Sequence, residues 1–480
     1  MPPNAPPPVA ADASAPPAKL PESPSQHFAN LVDSDPLTSQ QPGVRPAYWQ
    51  SDTNEGIGLD EAEEEDLNAL RKRVDNLEKE HRKHREAGHP KKSTGKFEHN
   101  LFGRIQADGV TFSQDAANKA QLGDIPNGVD FRRVRLGMQG PGYEILFYRL
   151  EADFVQPDEV TKKRPRLTDA YFEVRELPWL GTFRVGQYRE PYSVERLTSG
   201  NDTTFLERGL PQAFHTSRNM GVMLYDSSRN QKWYWWNGIF AQRATNFGEF
   251  FSNAPRLAYV NRIDWVPWYD EPSGGRYLAA IGSGYSFRNL AGTTQTFSST
   301  PEVSLQFDAT SVIPPFVTTG SMTVNTMQIF QAQAFTVLGP LSFQAEYYGT
   351  KVDQVNNPNV FLHGMYVFGS YFLTGEHRPY DRKQGIFTAV KPFADFYRVR
   401  TADRGICTGP GAWEVAARFS SLNLSDRNIQ GGRLNDVSLG VNWYLNFQTK
   451  IMFNYVHAFL NRHNAPSNAD VFETRAQVVW

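Results

Sequence analysis

From about residue 97 to its last residue the chain alternates side chains, apolar on one parity and polar or ionised on the other. A period of two belongs to the β-strand, whose successive side chains point to opposite faces. The final stretch, FETRAQVVW, sets Phe472, Thr474, Ala476, Val478 and Trp480 against Glu473, Arg475 and Gln477. EILFYRLEADF sets Leu146, Tyr148, Leu150, Ala152 and Phe154 against Arg149, Glu151 and Asp153, with Phe147 the exception. DFRRVRLGMQ opposes Val134, Leu136 and Met138 to Arg133 and Arg135, and LTDAYFEVR opposes Ala170, Phe172 and Val174 to Asp169, Tyr171, Glu173 and Arg175. WEVAARFSSL and VSLGVNWYLN repeat the pattern, with Glu414, Arg418, Ser438 and Asn442 on the polar parity. One such strand fits any amphipathic sheet edge. Many of them place ionised side chains on every inner face, which a dry core does not accept, because each unpaired buried charge costs several kcal/mol. The expected fold is all-β: a transmembrane antiparallel β-barrel with its apolar face to lipid and its ionic face to a water-filled lumen.

Hydropathy agrees. The mean is −0.52, and with no run of about 18 apolar residues there is no helical span. A barrel keeps a low mean because only alternate residues meet lipid. Nine of the ten Trp follow Lys96, which suits aromatic girdles at the two membrane interfaces. A net charge of −2 gives nucleic acid no electrostatic footing. The one cysteine, Cys407, lies in GICTGPG, which reads as a loop, and builds no disulfide framework. The chain carries no G-x-S-x-G, H-E-x-x-H or P-loop, so neither catalysis nor a cofactor is expected. Met1 is followed by PPNAPPP, without a basic or apolar leader; a barrel starting this way implies a signal already removed or a natural start upstream.

Three segments differ in composition. Residues 1–58, rich in Pro, Ala, Ser and Gln, bury too little apolar surface to order themselves and read as a linker. Residues 59–96 read as a helix and hinge, with Leu67, Leu70, Val74, Leu77, His81 and His84 spaced 3, 4, 3, 4, 3 as a short coiled-coil seam. A solvated single helix is the other reading. His81, His84 and His89 have no carboxylate or thiolate fixed beside them, so no metal site is expected. Residues 97–480 then form the barrel. Tight connections at 338–342 and 445–449 alternate with longer polar segments at 156–166, 246–255, 289–301, 351–359, 424–434 and 460–470. At roughly 24 residues per strand and connection, about 16 strands follow.

The segment FRVGQYREPYSVERLTSGNDTTFLERGLPQAFHTSRNMGVM (183–223) resembles the hallmark region of the phosphate-selective porin O and P family of bacterial outer membranes. DFRRVRLGMQG (130–140), LTDAYFEV (167–174), SYFLTGEHRPYD (370–381), GAWEVAARFSSLNL (411–424) and GGRLNDVSLGVNWYLN (431–446) extend the resemblance to the chain's end. It implies a 16-stranded barrel in the outer membrane, a homotrimer, a periplasmic segment ahead of it, and passive passage of anions. The resemblance implies that basic residues lining the lumen carry selectivity, and the inward parity here offers Arg133, Arg135, Arg149, Arg184 and Arg418. Residues 97–480 hold 29 Arg but 8 Lys, and no lysine matches a constriction position. The segment from Arg189 to Met220 is the candidate loop folded into the pore, with Arg189, Arg196, Arg208 and Arg218 beside Glu190, Glu195, Asp202 and Glu207. Opposed charges there either set a transverse field or pair to pin the loop. Phe472 and the terminal Trp480 resemble the assembly signal of outer-membrane proteins. The expected solutes are small anions, phosphate among them, or small hydrophilic solutes generally; a barrel anchored to the cell wall or to a periplasmic partner through the coiled coil is the alternative.

Overall fold

The computed structural model describes residues 97–155, 165–216, 218–242, 256–303, 313–397, 399–400 and 406–480. The linker, the helix with its seam and histidines, and most of the polar segments at 156–166 and 246–255 lie outside them. The first eight barrel strands are β1 (Asn100–Gln114), β2 (Gly128–Gly142), β3 (Leu146–Asp153), β4 (Arg166–Leu177), β5 (Gly181–Arg189), β6 (Arg218–Ser227), β7 (Trp233–Ala241) and β8 (Leu257–Tyr269). The remaining eight are β9 (Tyr277–Gln295), β10 (Met322–Leu338), β11 (Leu341–Gln354), β12 (Val360–Phe372), β13 (Ala412–Asp426), β14 (Ile429–Tyr444), β15 (Thr449–Arg462) and β16 (Ala465–Val479). Each pairs antiparallel with its sequence neighbour, and β16 returns to β1, so the sheet closes. Closure gives every barrel strand two partners and leaves no edge, the condition for crossing lipid.

The parity read from sequence becomes the inside and outside of this cylinder. On β16, Glu473, Arg475 and Gln477 are buried while Phe472 and Val478 are exposed. On β13, Glu414 and Arg418 are buried and Phe419 is exposed. The seam closes with Arg104 opposite Val479 and Gln114 opposite Ala469. At its base the Gly103 amide donates to the Trp480 carbonyl at 3.0 Å, and the Trp480 amide returns a bond of 3.1 Å to the Gly103 carbonyl. The Trp480 ring lies so close that a Cβ on Gly103 would stand 2.3 Å from it. Deleting Trp480 removes both terminal bonds and the ring that covers Gly103. Membrane insertion of the refolding chain is expected to slow several-fold, followed by heat-modifiable gel mobility; wild-type kinetics would show the seam closing without it.

The connections depart from expectation in two ways. The longer polar segments that are described, 289–301, 351–359, 424–434 and 460–470, do lie at the end opposite the termini, but three of them are mostly strand. At 289–301 β9 runs on to Gln295 against β10, and at 424–434 and 460–470 the ladders run on to two-residue turns. His463 and Asn464, with φ of 53° and 61°, make the last of these a two-residue turn whose positive φ values suit a twisted hairpin. Conversely, a long connection, 373–411, stands at the end carrying the termini, where the other turns are short. Cys407 lies within it, in a two-residue strand pairing Ile406–Cys407 with Val399–Arg400.

The tryptophans also correct the two-girdle reading. All nine within the barrel region sit toward the end that carries the termini: Trp179 in the β4–β5 turn and the others near that end of β7, β8, β13, β14 or β16. Trp236 points inward, whereas Trp233 stacks on Trp265 at 5.8 Å and Trp413 on Trp443 at 5.0 Å. Amphipathic indoles favour the headgroup level, so one Trp belt marks one interface. Phe131, Tyr259, Phe361 and Phe459 provide exposed aromatics toward the other end.

Candidate functional site: an arginine-lined cavity in the lumen

The described parts of three connections fold inward and bond to lumen-facing side chains. The first, described over 190–216, carries one α-helical turn, Val194–Leu197, whose Ser193 cap accepts from the Arg196 amide at 3.0 Å, and a 3-10 turn, Leu210–Phe214. It spans the lumen: Arg104 donates to Asn201 (2.8 Å), the Leu210 amide to Ser420 (2.8 Å), and Asn442 to the Thr204 carbonyl (2.7 Å). Gly284 on β9 lets it pass close, since a Cβ there would meet the Tyr192 carbonyl oxygen at 2.4 Å. The second, 296–321, inserts Glu302, which accepts from Arg418 (Nε, 2.8 Å) and Ser438 (2.6 Å). The third enters from the opposite end, where the Arg262 guanidinium donates to the Gly385 carbonyl at 2.9 Å and the Phe387 amide to Thr198 at 3.2 Å.

Many inward charges are therefore covered by protein rather than bathed in lumen water, a correction to the expected water-filled interior. Alternation along a strand says which face a charge takes, not what lies over it. The charges remain tolerable because they are paired and hydrogen-bonded. Arg262 meets Asp264 (2.5 Å), Arg475 meets Asp108 (2.6 Å), and Arg288 meets Glu190.

Along β3–β7 the wall stays open. Five guanidiniums, of Arg104, Arg149, Arg184, Arg189 and Arg218, and one carboxylate, Asp169, line a cavity of about 170 Å³. The carboxylates that orient these arginines stand behind them. Glu151, fully covered, accepts from Arg104 (3.1 Å), Arg135 (2.9 Å) and Arg149 (2.7 Å). Glu173, also covered, accepts from Arg184 (Nε, 2.7 Å), Arg175 (Nε, 2.8 Å) and the Tyr225 hydroxyl (2.8 Å). Arg184 lies among three rings, 4.4 Å from Tyr171 and 5.2 Å from both Tyr188 and Tyr225. Arg189 spends one Nη on the carbonyls of Arg196, Leu197 and Thr198, at 2.9 to 3.3 Å, and its Nε has no hydrogen-bond partner among the described residues. Toward the end with the termini, Arg149 and Ser199 also border a second cavity, of about 320 Å³, lined by Asp202 and Lys450.

The sequence-predicted arginines thus divide. Arg149, Arg184, Arg189 and Arg218 meet in the cavity. Arg133, Arg135 and Arg418 also point inward but are buried: Arg133 against Gln106 (2.8 Å), Arg135 between Glu151 and Asp153, and Arg418 against Glu302 and the Phe205 ring. Arg196 and Arg208 brace the loop's own backbone, reaching the Thr216 carbonyl (2.6 Å) and the Glu195 and Thr198 carbonyls (2.9 and 2.7 Å). Arg189 and Arg218 face each other as the last rung of β5 and β6, so they belong to strands rather than to the loop. Arg104 was missed, although GRIQADG on β1 carries the same alternation.

A profile of the family described as phosphate-selective porin O and P matches residues 100–480. The chain belongs to that family. Among curated relatives, Porin O of Pseudomonas aeruginosa is 24% identical over 420 residues, covering 80% of this chain and 89% of that one. Among solved structures, a loop-deletion mutant of the Vibrio cholerae outer-membrane protein OmpT (TM-score 0.48, 11% identity) and an anion-selective porin from Comamonas acidovorans (0.47, 11%) each match over 80% of this chain and 99% or all of their own. The porin resides in the bacterial outer membrane, and its short turns mark the periplasmic side. The Trp belt and the in-folded 373–411 connection are therefore periplasmic, and the Lys450 cavity opens on that side.

Burial raises the Asp202 carboxyl to about 6, against the opposing pull of Lys450 and Arg104. It is ionised at pH 7 and neutral at pH 5. Acidification over that range therefore removes a negative charge from the cavity that Arg149 and Lys450 share. The anion-to-cation permeability ratio is expected to rise by about two- to threefold and to lose this rise in Asp202→Asn, as measured by reversal potentials at the two pH values.

Proposed function

We propose that residues 97–480 form a passive channel favouring small anions, phosphate among them, with no catalytic step. The single observation that supports this reading is the one-sided arrangement of charge: five guanidiniums and one carboxylate face the cavity, while Glu151 and Glu173 lie behind the arginines they hold. Such a wall raises the local anion concentration without offering a tight site, and passage requires binding weak enough to release. Porin O's family carries phosphate selectivity in its description, and the same chemistry is assigned here to arginine rather than lysine. In a planar bilayer with a tenfold KCl gradient, the reversal potential is expected on the chloride side of zero; a cation-side value would overturn the reading. Open-channel steps also separate it from a purely structural anchor, which would give none.

The assembly is read as a homotrimer, in keeping with the family resemblance, and chemical cross-linking in detergent tests it. Residues 1–58 and 59–96 are read as a periplasmic linker and a coiled-coil helix outside the barrel. Deleting residues 1–96 is expected to leave a chain that inserts and conducts, and a truncated chain that fails to fold would move the boundary.

A further inference from the structure

We infer that the arginine cavity is built for small amphiphilic carboxylates, an anionic head on an aromatic or branched apolar body, in preference to phosphate. The inference rests on the anion-channel reading and narrows its solute class. Half of the residues that line the cavity carry rings or aliphatic side chains. Tyr171, Tyr188, Tyr225 and Trp236 present rings to it, and Pro191, Leu197, Met223 and Ile386 add aliphatic surface. A phosphate ion is compact and strongly hydrated, and every face of it needs a donor. Against this wall it would shed water on one side toward ring faces and aliphatic groups, with the Tyr225 and Tyr188 hydroxyls already donating to Glu173 and the Arg184 carbonyl, a desolvation cost with little compensation. A carboxylate with an apolar body matches both halves, its head toward the guanidiniums and its body against the rings and aliphatics.

The donors also fit a carboxylate. Arg189 and Arg218 stand opposite each other at one end of the cavity, Arg189 bonded to backbone carbonyls and, among the described residues, to no carboxylate, and Arg218 holding Asp169 at 2.6 Å. A planar guanidinium presents paired N–H groups at the spacing of two carboxylate oxygens. The apolar members come from three places: Leu197 and Pro191 from the 190–217 loop, Ile386 from the periplasmic 373–411 connection, and Met223 from β6. Two in-folded connections thus bring apolar side chains to a wall that the strands make basic, so the combination depends on the inserted loops.

Block of chloride current tests this. In a planar bilayer holding the full chain, benzoate, inorganic phosphate and uncharged benzyl alcohol are added in turn and half-blocking concentrations are read from single-channel current. Benzoate is expected to block at a concentration at least fivefold below that of phosphate, and benzyl alcohol not at all. Leu197→Asn and Ile386→Asn, both at half-buried loop positions, keep all five arginines and are expected to bring the benzoate-to-phosphate ratio toward one. That ratio is insensitive to changes in open-channel current. Phosphate blocking as well as benzoate in the unaltered chain, or a ratio unmoved by both substitutions, would overturn the inference while leaving the anion channel standing. A cation-selective chloride-free current would overturn both.

Discussion

Arg149→Glu is expected to lower the anion-to-cation permeability ratio by about thirtyfold. Arg149 borders both cavities, so a solute passing between them moves along its side chain. The substitution changes the local charge by two, and at about 4 Å in a watery setting each unit charge contributes ~1 kcal/mol. A change of about 2 kcal/mol corresponds to roughly thirtyfold. The new carboxylate would also face Glu151 and Asp169, which now accept from or lie beside Arg149 at 2.7 and 3.6 Å, and would draw Arg104 and Arg218 away from the cavity. Reversal potentials in a KCl gradient give the result directly, and an unchanged potential would show that ions take another route. The same substitution at Arg133 or Arg135 is expected to act on folding instead, because each guanidinium is buried against side chains of the wall and opens onto neither cavity.

That contrast marks what could be read from the sequence. Parity placed Arg133, Arg135, Arg149, Arg184 and Arg418 on the inner face, because a two-residue period in a closed sheet has only two sides to choose from. It also placed Phe472 and Trp480 outside, and a strand-per-length argument gave sixteen strands. Parity carries no information about what comes to lie over a side chain. Arg418 and Arg149 look alike in sequence, yet one is covered by Glu302 and the Glu207 carbonyl and the other faces a void. Covering depends on where 296–321 and 373–411 fold, and those connections have no periodicity to read. The same limit explains 460–470, where a polar composition looked like a loop while a two-residue turn at His463 and Asn464 carried the ladder to its end. Arg104 is different: GRIQADG was legible by the rule already in use.

Glu207→Ala is expected to destabilise the lumen loop by about 3–5 kcal/mol, the cost of removing one partner from a buried ion pair. Glu207 sits near the middle of the loop that follows β5 and ties it to three strands at once, β2, β13 and β16. Its carboxylate accepts from Arg132 at 2.8 and 3.0 Å and from Arg475 at 3.1 Å, with Arg133 at 3.9 Å. Its carbonyl accepts twice from Arg418 at 3.1 Å. Burial alone would raise the Glu207 carboxyl, but Arg132, Arg133 and Arg475 outweigh it and hold the group well below the ordinary carboxylate range. Its stabilisation is therefore present above that range and lost only as pH falls beneath it, so mild acid does not release the loop. Removing the side chain leaves the guanidiniums of Arg132, Arg133 and Arg475 crowded together without this carboxylate, and their repulsion pushes the loop from the wall. The barrel ladder is untouched, so the chain is expected to insert normally while trypsin cleaves after Arg196 or Arg208 and single-channel current becomes larger and noisier. Glu207→Gln, which keeps an acceptor and loses the charge, is expected to fall between. Native protease resistance and native current in the alanine variant would mean that the backbone bonds to Arg418 and Arg475 hold the loop unaided.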